Sequence, residues 1–161
     1  MRRHASGRKI MSQYHLAQLN LAKMKYPIDS NKMADFVARL EDVNALADHS
    51  PGFVWRLQTE DGDATSLDYF GPDMLINMSV WEDVDSLHHY VYRTAHTEVM
   101  ARRHEWFERM EQAYLVLWWV PAGTTPSLEE ADERLEDLRA NGPSQRAFTP
   151  KQRFDPPSGA A

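Results

Sequence analysis

An α+β fold, with element order β-α-β-β-α-β and one further helix at the C-terminal end, is what this sequence predicts. Three observations carry that expectation. Short apolar stretches of strand character alternate with segments of helical period, turn formers punctuate the junctions, and a charged amphipathic stretch follows the last strand. The order is the split βαβ, or ferredoxin-like, plan: a four-stranded antiparallel sheet with helices on one face.

The first strand is YHLAQLNL at 14–21, with Leu16 on one face and Ala17, Leu19 and Leu21 on the other. Pro27 and the residues 29–31 punctuate a loop in which Asp29 or Ser30 is placed to cap a helix. Over 31–48, Met33, Phe36, Val37, Leu40, Val43, Asn44 and Ala47 recur at the helical period. SPG at 50–52 ends that helix, and FVWRLQT at 53–59 reads as a strand. Residues 60–73 are turn formers and acids, hence a loop. MLINMSVW at 74–81 is the third strand, its alternating sets being Met74, Ile76, Met78, Val80 and Leu75, Asn77, Ser79, Trp81.

Asp83 and Asp85 suit the positive end of a helix that runs over 84–92 and again over 95–111, with a break near Arg93 and Thr94. YLVLWWV at 114–120 is the last core strand, apolar on both faces. Ser127 caps the charged helix LEEADERLEDLRANG, which Gly142 and Pro143 stop. A single domain is expected over 11–148, with a disordered extension at 1–10 and a disordered tail at 149–161.

A lone ferredoxin-like domain leaves one sheet face to solvent, and that face should be polar. These strands are polar on neither face, since Tyr114, Val116, Trp118 and Val120 alternate with Leu115, Leu117 and Trp119. The economical solution is a homodimer in which two sheets meet, a dimeric α+β barrel.

The 161 residues contain no cysteine, which excludes thiol catalysis, zinc–thiolate sites and a disulfide framework. A formal charge of −6 argues against a general nucleic-acid partner. The basic opening MRRHASGRK is followed by no apolar signal core, and YLVLWWV is far too short to span a bilayer. A cytoplasmic protein without membrane or nucleic-acid partners is the expectation.

The segments NMSVWEDVDSLHHYVYRTAHTEVMARRHEWFERM and YLVLWWVPAGTTPSLEEADERLEDLRANGPS resemble a bacterial family catalogued as a domain of unknown function, family 3291. That family is similar to the dimeric α/β-barrel superfamily, which includes antibiotic-biosynthesis monooxygenases. The resemblance covers about 11–150 and carries no activity by itself. Within the superfamily, cofactor-independent monooxygenases oxidise polycyclic phenols with an Asn, a Trp and nearby polar groups beside an apolar cleft. Asn77 and Trp81 look like that pair and share a strand face. The Tyr and Arg of those enzymes have no secure counterpart among Tyr90, Tyr92 and Arg93. Other branches bind haem through a histidine, and others are isomerases or plain ligand binders.

Each candidate residue has a plain structural alternative. The Asn77 amide suits a developing phenolate or peroxide oxygen with Trp81 as an apolar wall, or else Asn77 satisfies backbone and Trp81 is core. His96 lies four residues from Tyr92 and from Met100, an inward helical face with Phe107 further on. It is a general base, an axial haem ligand, or a core histidine bonded to a carbonyl. Arg93 at the break anchors a planar anion or caps carbonyls.

A metal site is the poorer reading of HEWFE at 104–108, because Glu108 stands where a zinc-protease helix needs its second histidine. His104, Glu105, Glu108, Arg102, Arg103 and Arg109 read as a solvated charged face. His15 and Asn20 on the first strand and Arg56 on the second are the remaining polar strand residues with the chemistry to line a cavity.

The function expected is binding of a small apolar or aromatic molecule in a helix–sheet cleft. As an enzyme the protein would be a cofactor-independent monooxygenase or isomerase. Asn77, His96 and Tyr92 would then be catalytic, and Trp81, Arg93 and Met100 would bind substrate. A non-catalytic ligand-binding module is the alternative, and a haem-binding protein using His96 is another; otherwise neither cofactor nor metal is expected.

Overall fold

The computed structural model describes residues 13–158. In chain order these form β1 (Tyr14–Met24), a 3-10 turn (Asn31–Met33) leading into α1 (Ala34–Asp48), β2 (Phe53–Arg56), β3 (Met74–Trp81), α2 (Val84–Val91), α3 (Thr94–Ala101), α4 (Arg103–Trp106), β4 (Phe107–Glu108), β5 (Leu115–Pro121) and α5 (Leu128–Asn141). The extension expected over 1–10 lies outside the described residues.

β1 is the centre of the sheet. It pairs antiparallel with β3 along one edge, from Leu16↔Trp81 to Lys23↔Met74. Along the other edge it pairs with β5, from Tyr14↔Pro121 to Asn20↔Leu115, and then with β4 through Lys23↔Glu108 and Met24↔Phe107. β2 pairs outside β3, with an irregularity between Phe53 and Trp55. The order β2-β3-β1-β4/β5, all antiparallel, is the ferredoxin-like plan expected from the element order.

The helix expected over 95–111 stops at Trp106, which differs from the periodicity reading for a tertiary reason. β1 runs three residues beyond Leu21, and that extension needs a partner for its backbone. Lys25 N donates to Trp106 O at 2.8 Å, and Phe107 and Glu108 then pair with β1 as strand. Trp106 is 1% exposed, packed with Met24, Met33 and Phe36. At the starts of α2 and α5 the capping side chains behave as their chemistry suggests. Asp83 accepts from Ser86 N, and Ser127 from Glu130 N. Ser30 does not cap α1; its hydroxyl donates to Pro27 O.

Both sheet faces are covered within the one chain. Ala17, Leu19, Leu21, Ile76, Met78, Val80, Val116, Trp118 and Val120 form one face, and Ala131, Leu135 and Leu138 of α5 lie on it. The residues of α5 recur at i, i+4, i+7, a single helical stripe. The opposite face carries α1 to α4, with Trp81, Ala47 and Tyr90 packed at one end and Trp106 with Phe36 at the other. The two-sided strands therefore have a different cause from the one expected: the second face is buried by α5, and no second sheet is needed to explain it.

The segment expected to be a loose tail from 149 is also laid down as far as the described residues reach. Phe148 exchanges two backbone hydrogen bonds of 2.8 Å with Leu117, on the outer edge of β5. Trp119 Nε1 donates to Phe154 O at 2.8 Å, and Phe154 packs beside Phe148. This strap covers part of a strand edge that would otherwise present unpaired backbone.

Candidate functional site

The register of the sheet sets a polar row on the face that carries α1 to α4. Gln18 stands opposite Ser79, and Asn20 opposite Asn77. Gln18 Nε2 lies 2.7 Å from Asn77 Oδ1 and 2.8 Å from Ser79 Oγ, reaching both its direct and its diagonal neighbour. Trp81 Nε1 donates to the same Ser79 Oγ at 2.8 Å. Four side chains from two strands thus form one hydrogen-bonded row from Trp81 to Asn77.

Burial changes sharply along it. Trp81, Ser79 and Gln18 are buried, whereas Asn77 is exposed although it sits in mid-strand with β1 beside it. Asn20 and Leu115, next across the sheet, are half-buried. The helix layer therefore leaves an opening above the sheet at Asn77, flanked by the Trp106 cluster on one side and the Trp81 cluster on the other.

Trp81 is 1% exposed, and its ring is taken up by neighbours. Tyr90 stacks on it with centroids 5.1 Å apart and planes at 27°, and Phe53 meets it edge-on at 5.5 Å. It supports the row and does not form an open apolar wall. Tyr90 donates to Val43 O at 3.3 Å, and burial pushes its phenol well above the ordinary tyrosine range, the nearby Arg56 only partly opposing this.

His96 continues the aromatic stack, its ring 5.0 Å from that of Tyr90. Its Nδ1 lies 3.1 Å from Val91 O, so the neutral ring carries its proton there and donates to the carbonyl. Burial holds its pKa below the usual histidine value, the bond to Val91 working weakly the other way. This is the core-histidine arrangement among the readings above.

The expected inward face of Tyr92, His96 and Met100 does not form. The chain turns extended at Arg93 (ψ 151°), which resets the helical phase between α2 and α3. Tyr92 is left 68% exposed, its ring 4.6 Å from His88, and Met100 is 37% exposed. Arg93 is exposed at the joint. Phe107, expected on the same face, is in β4.

Arg103, His104 and Glu105 are exposed, as a solvated face requires. Arg102 bonds Glu105 at 2.7 Å and Asp35 at 3.1 Å, and its guanidinium lies 4.8 Å from the centre of the Trp106 ring, joining α4 to α1. Arg56 is held by Asp48 at 2.8 Å and by Gly62 O. His15 faces the α5 side with Ala17, and its Nδ1 is buried without a partner. A surface hollow of about 510 Å³ is lined by Arg109, Met110 and Glu111 on the β4–β5 connection, and the polar row does not line it. Among the described residues no group of three or more His, Asp or Glu is placed to hold a metal ion, and no helix is long and apolar enough to cross a membrane.

Gln18 is the residue that sequence reasoning missed. Its signal was present, since it stands two residues from Leu16 and therefore on the face opposite Ala17 and Leu19.

An antiparallel β2-β3-β1-β4/β5 sheet with a polar row beneath its helices defines an α+β protein of ferredoxin-like type. The chain belongs to the family described as Domain of unknown function (DUF3291), whose model matches residues 15–161. Solved structures of similar fold include a protein from Shewanella oneidensis, with a TM-score of 0.50 at 10% identity, over 68% of this chain and 93% of that one. A cofactor-independent oxygenase from Streptomyces nogalater matches with a TM-score of 0.43 at 15% identity, over 69% and 95%. A protein from Chloroflexus aurantiacus, proposed to be an antibiotic biosynthesis monooxygenase, matches with a TM-score of 0.45 at 11% identity, over 70% and 97%. At these identities the likeness concerns the fold alone. No curated protein matches the chain.

Proposed function

We propose that the protein binds a small, largely apolar or aromatic molecule in the opening above Asn77, where the molecule's single polar group meets the Asn77 side chain. The observation that carries this reading is the exposure of Asn77 inside a sheet whose neighbouring row is buried. A polar side chain held by a bond from Gln18 and open to one side, between two apolar clusters, has the makeup of a small-molecule site. Within the row there is no group that titrates near neutral pH, so binding without turnover is the reading the geometry favours.

Cofactor-independent oxygenation or isomerisation is a second reading, supported by the spacing of Asn77 and Trp81 on one strand face. In it His96 would act as the base through Nε2, since Nδ1 is engaged by Val91. Tyr92, Arg93 and Met100, which face outward, have no part in it.

A homodimer, where formed, would use a surface other than the α5-covered face. Native mass spectrometry of the purified chain tests the binding reading directly. A small organic adduct that is retained by the wild type and lost in Asn77→Ala supports it. An adduct that survives Asn77→Ala unchanged places the site elsewhere.

A further inference from the structure

Asn20 stands beside the opening with its side chain unused. It sits on β1, the central strand, directly opposite Asn77 on β3 and Leu115 on β5. Asn is depleted in strands, and one in mid-sheet ordinarily finds a protein partner for its amide. Asn20 is half-buried, and its side chain makes no hydrogen bond among the described residues.

The Asn20 and Asn77 amides are near neighbours. Met24 N donates to Asp73 O, and four residues further along the same register Asn20 and Asn77 form a pair of the same hydrogen-bonded kind, with Cα atoms about 5.5 Å apart. Gln18 engages one end of the Asn77 amide at 2.7 Å, which leaves the other end without a protein partner. Which end of Asn77 that is does not matter, because the unpartnered Asn20 amide can turn its oxygen or its nitrogen to the complementary place. In either arrangement the pair presents one N–H and one C=O side by side. Leu75, two residues from Asn77 on the same face, and Leu115, beside Asn20, are half-buried apolar flanks.

We propose that Asn20 is the second polar contact of the site, and that the ligand's polar group is a paired edge, an N–H adjacent to a C=O, as in a lactam or cyclic imide fused to an aromatic ring. This rests on the binding site proposed above and names its ligand class. A lone N–H pairs with one amide and covers the other, which loses water without gaining a partner. A lone C=O has to gather two N–H groups onto one oxygen, from side chains rooted about 5 Å apart, or leave one of them unpaired. A paired edge satisfies both amides at once.

Three two-ring probes of similar size test this by calorimetric titration of the full-length chain. Oxindole carries the paired edge, indole only the N–H, and 1-indanone only the C=O. Oxindole should bind the wild type about fivefold more tightly than the better of the other two, the worth of one further neutral hydrogen bond. That advantage should disappear in Asn20→Ala. Asn20→Val, which suits a strand, should lose it in the same way while keeping a cooperative thermal melt.

Oxindole binding no tighter than the better control, or an advantage that survives both Asn20 variants, overturns the paired-edge inference. Asn77→Ala separates that failure from failure of the site. Where it weakens the probes that bind, the site stands whatever their ranking. Absence of binding by all three probes, or binding indifferent to Asn77→Ala, overturns the site and this inference with it.

Discussion

Trp118 Nε1 donates to Glu130 Oε2 at 2.8 Å, tying the fully buried indole in the middle of β5 to the first turn of α5. That bond, with Leu135 and Ala131 at 0% exposure beneath the helix, closes the sheet face that the sequence leaves seeking a partner. Leu135→Ala should cost about 2–5 kcal/mol, the usual range for emptying a sealed aliphatic site. Urea denaturation of the full chain measures it. Leu135→Ala should also broaden the charge-state distribution of the 18.6 kDa chain in native mass spectrometry relative to the wild type.

Gly52 lies so close to α2 that it has no room for a side chain. A Cβ there would come 2.0 Å from Ser86 Oγ and 2.4 Å from Ser86 Cβ, and the residue sits at φ +84°. Gly52→Ala should destabilise the fold by about 2–4 kcal/mol, from overpacking together with a disfavoured backbone region. Ser86→Gly in the same chain should recover part of the loss, because it removes both clashing atoms. A double-mutant cycle in denaturant that shows no coupling would contradict this close approach.

His96 makes stability depend on pH. Burial depresses its pKa in the folded chain, so the unfolded chain takes up the proton more readily as pH falls through about 6.5. Stability is therefore present above that value, declines as pH drops toward the folded pKa, and levels off below it. Thermal melts between pH 7.5 and pH 5, on the order of the window set by a histidine near 6.5, should slope downward in the wild type. The slope should be shallower in His96→Gln. Equal slopes would remove His96 as the cause.

Trp81→Phe keeps an aromatic ring against Tyr90 and Phe53 but deletes the indole N–H that Ser79 accepts, together with part of the ring area. The expected cost is about 1–3 kcal/mol, from a buried hydroxyl left short of a partner and from lost ring area. Asn77→Ala, at the exposed end of the same row, should change stability by about 0.5 kcal/mol or less while abolishing ligand retention. Chemical denaturation of the two variants side by side distinguishes a supporting residue from a contact residue.

Where local period and burial agree, the sequence already showed the structure. MLINMSVW was legible to the residue as β3 because both of its alternating sets are used, one under α5 and one under the helices. Phe36 and Ala47 likewise read as the buried stripe of α1, with Met33 buried in the 3-10 turn just ahead of it. Phe107 and Glu108 continue a helical pattern in sequence, and only the unpaired end of β1, more than eighty residues earlier, makes them strand. Tyr92 and Met100 fit one face of a continuous helix, but the extended backbone at Arg93 rotates the face away. At the candidate site, Asn77 and Trp81 were visible as a pair. Gln18, which links them through Ser79, was hidden because the bond crosses from β3 to a strand about sixty residues away.

The position of β1 has a consequence for how the chain comes into being. A ribosome releases β1 first, yet its partners are β3, beginning at Met74, and β5, beginning at Leu115. The helix that shelters Trp118 and the strap that meets Leu117 follow later still. Until the last fifth of the polypeptide has emerged, Leu19, Met78 and Trp118 have nothing of their own to lie against. Pairings so distant along the chain form slowly, and the nascent protein exposes a broad apolar surface during that interval. Chaperone dependence during synthesis should accordingly track the length of chain beyond Pro121, and should fall away once α5 is clear of the exit tunnel.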